Sequence, residues 1–174
     1  MKPDPLHEIW EEYVATKDCF RIAQEVVKYK EEKFLVNTNF ASDTLGQAEA
    51  TIRRNRDRVE EFFILALWVV FERHIINYIQ IKGEKLKEIS PSDCADSLYG
   101  KYRVEVERWR FTETLDILSK MIDPNLIGQA KQVKAYRDWI AHRNPLKPQP
   151  ASTDPKSAYN ALSKIIQLID NKEA

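Results

Sequence analysis

The sequence is poor in glycine, cysteine and histidine, and each scarcity closes off a class of protein. Four glycines in 174 residues leave no glycine-rich loop to cradle a phosphate and no nucleophile elbow. Two cysteines, Cys19 and Cys94, stand far apart without metal-ligand spacing. They are expected as reduced thiols of a cytoplasmic protein, not as a disulfide framework. Three histidines, His7, His74 and His142, offer no zinc signature, and neither a metal nor a cofactor is expected. An excess of one charge is missing too. Lysines plus arginines number 27 and so do the acids, so no global field recruits a polyanion and any such contact must come from a local patch. The start, Met1-Lys-Pro-Asp-Pro5, has no apolar signal core, and the longest apolar run reads as too short to span a bilayer. No membrane association is expected, and no internal repeat appears.

What remains is helix-forming material. Hydrophobic residues make up 43% and charged residues 31%, ordinary for a soluble globular chain. The length suits a single domain over 1–174. The expected fold is all-α, a bundle of five to seven helices. Pro5 opens a first helix running to about Phe34, with Ile9, Tyr13, Phe20, Ala23, Val27 and Tyr29 in a loosely helical pattern. After a polar break at Asn37-Thr-Asn39, Ser42 or Asp43 can cap the next helix. Phe62 to Phe71 is apolar without interruption and the pattern continues to Ile81, too long for a strand. Such a helix belongs in the centre of a bundle or at a subunit interface. Gly83 is expected to stop it. Further helices are expected from Ser90-Pro-Ser92 to about Phe111, from Phe111 to Ile122, from Pro124 behind the cap Asp123, and from Asp154-Pro155 onward. In the last, Ala158, Leu162, Ile165 and Ile169 form the docking face. Between the last two, Pro145 to Asp154 carries three prolines and reads as a stiff extended loop.

Two basic clusters stand out. Arg53-Arg-Asn-Arg-Asp-Arg58 can grip a phosphate backbone, or it is a solvated helix face paired with Asp57, Glu60 and Glu61. Lys101, Arg103, Arg108 and Arg110 interleave with Tyr102 and Trp109, an arrangement suited to single-stranded RNA, although aromatics at helical spacing serve a core as well.

The richest stretch is Ala135-Tyr-Arg-Asp-Trp-Ile-Ala-His-Arg-Asn144, the last turns of the helix that begins at Pro124. Leu126, Ala130, Val133 and Ile140 define its apolar face, and Arg137 falls on that face. A guanidinium there needs a partner, since an unpaired buried charge is costly. Glu72 occupies the matching position in the stripe Leu65, Trp68, Ile75 and Ile79, so Glu72 and Arg137 are expected to lie close together. Asp138 and His142 are four apart and can meet on the helix surface. A carboxylate there, with the negative end of the helix dipole, favours an imidazole that holds or gives a proton near neutral pH. Five residues of ideal helix turn through roughly 140°, so Arg137 and His142 of one chain do not share a face. They converge if the helix end unwinds, or if two copies meet across a two-fold axis.

Arg137-Asp-Trp-Ile-Ala-His142 resembles the R-x4-6-H signature of the HEPN superfamily (higher eukaryotes and prokaryotes nucleotide-binding domains), in which a polar residue commonly follows the arginine, as Asp138 does here. The resemblance covers about ten residues. It implies an all-α homodimer acting as a metal-independent endoribonuclease on an RNA substrate, as in the toxins of toxin–antitoxin or other defence systems, with an antitoxin protein as a further partner. By the same resemblance Arg137 and His142 are catalytic and Asp138 holds His142, while Glu72, from its place on the apolar stripe, either orients Arg137 in the active site or forms a structural salt bridge with it. The same residues also fit a non-catalytic HEPN-like module that binds RNA, a nucleotide or a protein. They fit a plain bundle as well, with a surface Asp–His pair and an internal arginine salt bridge.

Overall fold

A computed structural model describes residues 3–89 and 91–171. These are all-helical: α1 (His7–Lys28), α2 (Glu32–Leu35), α3 (Leu45–Lys82), a 3-10 helix (Gly83–Glu88), α4 (Ser92–Val106), α5 (Phe111–Leu118), α6 (Pro124–His142) and α7 (Pro155–Asp170). Ser90, in the expected start of the fourth long helix, lies outside the described residues, as do Met1 and Lys2 of the N-terminal stretch.

The axis of the bundle is α3, 38 residues long, or roughly 57 Å at the usual rise per residue. It packs against α1, α6 and α7. Trp68, Phe71 and Ile75 on α3 are fully buried, and they meet Leu115 of α5, Ala130 and Val133 of α6, and Leu162 and Ile165 of α7 in one continuous core. The 3.6-residue periodicity of α6 and α7 is what allows this, because each offers a single apolar stripe to the same central helix. A second, smaller cluster of Val27, Ala48 and Ile52, backed by Phe20, Leu35 and Phe40, ties the far ends of α1 and α3 together.

Several sequence expectations change. The first helix stops at Lys28 instead of Phe34, because Lys30 adopts a left-handed φ of 49°. This turns the chain so that Leu35 and Phe40 reach the small cluster. Thr44, not Ser42 or Asp43, caps α3. Only Thr44 has a Gln three residues on, and the two close a capping box, with Thr44 N–H donating to Gln47 Oε1 at 2.9 Å. The long apolar run is buried on one side only, since Phe62 and Val69 are each 57% exposed. An 18-residue window of this helix is apolar enough, by length and composition, to cross a membrane. That corrects the expectation from uninterrupted residues alone, though here the window's innermost side chains face other helices of the bundle. The helix expected to reach Phe111 ends at Val106, and α5 ends at Leu118, four residues short of Ile122. Tyr102 and Trp109, set against each other edge to face at 6.0 Å, pack on the core.

Candidate functional site

The C-terminal half of α6 carries the site. Asp123 caps this helix through Asn125 N–H at 2.9 Å, with Pro124 in the first position. Ile127, Ala130, Val133, Tyr136 and Ile140 bury its apolar face. The helix ends on Arg143, which takes the left-handed φ of 40° and donates its N–H to Trp139 O at 2.7 Å. A side chain in that conformation costs about 1 kcal/mol. Offsetting it, the Arg143 guanidinium pairs with Glu61 of α3 and sits 5.3 Å from the centre of the Trp139 ring. His142 is thereby fixed as the last helical residue.

Arg137 turns toward α3. Its Nη2 stands 3.9 Å from Glu72 Oε2, and its Nη1 donates to Asp138 Oδ1 at 3.0 Å. Glu72 also accepts from the buried Trp68 indole N–H at 3.1 Å. The two opposite charges expected to be neighbours are therefore neighbours. The Nε of Arg137 is buried and, among the described residues, has no hydrogen-bond partner.

Asp138 is fully engaged elsewhere than expected. Lys134 donates to its Oδ2 at 2.6 Å, and Arg137 takes the other oxygen. Burial pushes this carboxyl up, but the hydrogen bonds from Lys134 and Arg137 outweigh it and hold Asp138 below the usual carboxylate range. His142 is exposed, and among the described residues no hydrogen bond or ion pair joins it to Asp138. The expected pair is absent because two full positive charges compete for the same carboxylate.

His142 instead faces a groove of about 570 Å³. Ala135, Asp138 and Trp139 form one wall with it, and Asn144, Lys147, Pro148 and Pro150 of the proline-rich loop form the other. The four α6 residues recur at helical spacing, which puts them on one face. Arg137 is not in that wall. A single chain therefore separates the guanidinium from the imidazole, as the 140° argument requires, and Asp138 alone belongs to both surroundings. Chemically, the groove offers an imidazole for proton transfer, a lysine ammonium for an anion and an indole for a flat apolar group.

Three contributors went unread in the sequence. Lys134 stands four residues before Asp138, a legible spacing. Trp139, three residues before His142, was equally legible. Lys147 had no signal, since only the path of the loop brings it back. His74, given no role, pairs with Asp170 at 3.1 Å and links α3 to α7. Among the described residues no group of three His, Cys, Asp or Glu side chains is placed to hold a metal ion, and Cys19 and Cys94 are free and exposed. Compared with family models, curated proteins and solved structures, the chain matches none.

Proposed function

We propose that this chain is a metal-independent endoribonuclease of the HEPN type, cytoplasmic and active as a homodimer. The observation that carries the reading is the position of Asp138, which lines the His142 groove while holding Arg137. Unwinding of the end of α6, or the docking of a second copy, then brings guanidinium and imidazole to one phosphate. Phe62 and Val69 are exposed on α3, on the helix whose Glu61 and Glu72 hold Arg143 and Arg137. They supply an apolar surface for that second copy.

In the reaction, His142 takes the proton of an RNA 2′-hydroxyl as its oxygen attacks the adjacent phosphorus. The bond from phosphorus to the 5′-oxygen breaks, and that oxygen takes the proton that His142 has received. The products are a 2′,3′-cyclic phosphate and a 5′-hydroxyl. Arg137 stabilises the charge that builds on the non-bridging oxygens. Proton transfer of this kind contributes about 10²- to 10⁴-fold in rate, so His142→Ala should lower RNA cleavage by that factor. The helical circular-dichroism spectrum should be unchanged, because the side chain is exposed. Full activity in that variant, measured on end-labelled RNA in the presence of EDTA, rules the mechanism out.

A second reading is favoured by one observation, the commitment of both Asp138 oxygens to Lys134 and Arg137, which leaves His142 without an orienting carboxylate. On that reading the chain is a non-catalytic HEPN-like module binding RNA, a nucleotide or a protein. It would bind without cleaving, and its induction would not slow a host cell. Growth arrest by the wild type that His142→Ala relieves favours the enzyme, in the role of a toxin with an antitoxin protein as partner.

A further inference from the structure

The arginine cluster at 53–58 does not pair off as a solvated face would. Glu60 accepts from the Tyr13 hydroxyl and Glu61 pairs with Arg143. Of the expected pairings, only Arg56 with Asp57, 3.4 Å apart, is present among the described residues. Arg56 leans into a groove of about 480 Å³ to which α1, α3 and α7 all contribute. Four cations line it, Lys17 and Arg21 from α1, Arg56 from α3 and Lys156 from α7, against Asp18 as the one acid in its lining. Asp18 is partly neutralised by Arg21 at 3.3 Å. Lys156 sits in the first turn of α7, the positive end of the helix dipole, where a lysine is unfavourable to the helix itself. The lining also holds the rings of Trp10, Tyr13 and Phe20. Trp10 is fixed by stacking on Tyr159 at 4.9 Å with 10° between the rings, and Phe20 lies further along α1. The next groove along α3 mixes Lys28, Arg53 and Arg56 with Glu25 and Glu49, so the positive potential is concentrated in the first.

We propose that this α1–α3–α7 groove binds single-stranded nucleic acid, with bases against the aromatic wall around Trp10 and phosphates on Lys17, Arg21, Arg56 and Lys156. In a chain of zero net charge, these four cations, of which Arg21 pairs with Asp18 and Arg56 with Asp57, form the local patch that a polyanion requires. Rings within that patch favour a ligand with planar faces over one with charge alone. None of these residues lines the His142 groove, so the inference does not rest on the ribonuclease reading.

The test is fluorescence anisotropy of the full chain with a labelled 2′-O-methyl oligouridine, which lacks the free 2′-hydroxyl that cleavage needs. Lys17→Glu combined with Arg21→Glu, both exposed side chains, should weaken binding by roughly tenfold or more. Each cation removed should flatten the plot of log affinity against log salt by about 0.7. Binding should quench indole emission in the wild type, and Trp10→Phe should reduce that quenching, any remainder belonging to Trp139 beside His142. Unchanged affinity in the charge-reversed variant overturns the proposal. So does displacement by heparin or polyglutamate as effective as by unlabelled oligouridine, with no signal that depends on Trp10. Either result can be told apart from a failure of the ribonuclease reading, which is judged by cleavage alone.

Discussion

At the scale of single residues, the seam between α3 and α6 is governed by a few polar groups that sequence spacing put there in apolar stripes. Glu72 is the acceptor for the Trp68 indole N–H, and Trp68 is completely buried. Glu72→Ala therefore leaves a buried donor unpaired and is expected to cost about 1–3 kcal/mol. Glu72→Gln keeps an acceptor for the indole and should recover most of that loss. Urea denaturation of the two variants checks this, and equal midpoints would mean that the indole bond is not what Glu72 contributes. Arg137 keeps Asp138 as a partner in either variant, so its position should survive. The absence of an Asp138–His142 bond belongs to this scale as well. An exposed imidazole cannot compete with an ammonium and a guanidinium for one carboxylate.

At the scale of elements, helix ends decide where side chains arrive. Gly83 ends α3 without a left-handed turn: its φ is −71° and the chain runs on into the 3-10 helix. The reason for glycine is the Tyr102 ring, since a Cβ at position 83 would stand 2.0 Å from Cε1. That ring cannot easily withdraw, being tied by its hydroxyl to Ile79 O at 2.9 Å and backed by Trp109. Gly83→Ala is thus expected to destabilise by about 1–3 kcal/mol through overpacking, read as a lowered Tm. A Tm equal to wild type would mean that the α3–α4 contact is loose. The docking of α1 has its own signature. Burial first, then the charge of Glu60, pushes the Tyr13 hydroxyl up from 10.0 to about 12. The native state therefore keeps a proton that the unfolded chain loses near pH 10. This contribution is complete below pH 10 and is lost as pH rises toward 12. Tyr13→Phe should make the fall in stability over that range shallower, followed by urea midpoints at successive pH values. It should not abolish the fall, because burial also raises Tyr102, Tyr136 and Tyr159.

At the scale of the whole molecule, one chain keeps Arg137 and His142 on different faces of α6, and the proposed ribonuclease reading has a second copy bring both to one substrate. Arg137→Ala and His142→Ala proteins should each be inactive alone. Mixed and re-equilibrated, they should recover roughly a quarter of wild-type cleavage, since half the dimers are then mixed and each has one intact pair. No recovery would mean that the two groups must come from the same chain, and α6 would have to unwind at its end. Cleavage should also fall steeply on dilution through the dimer dissociation range.

The helical class was legible because apolar residues recur at helical spacing in α6 and α7 and the turn-forming residues are scarce. The boundaries at Asp123 and Asp154 were legible for the same local reason, a capping side chain followed by proline. The Glu72–Arg137 neighbourhood was legible too, because two buried stripes each carried one charge of opposite sign. Local sequence thus determined the helices, their caps and the polar intruders on their apolar faces, all of which depend on contacts within a few residues. Tertiary structure alone decided which carboxylate took which cation, that the loop should return Lys147 beside His142, and that Lys17, Arg56 and Lys156 should line one groove. The groove depends on how α1 and α7 pack around α3, and the other two on the side-chain directions at the end of α6 and the path of the loop after it, none of which a spacing along the chain fixes.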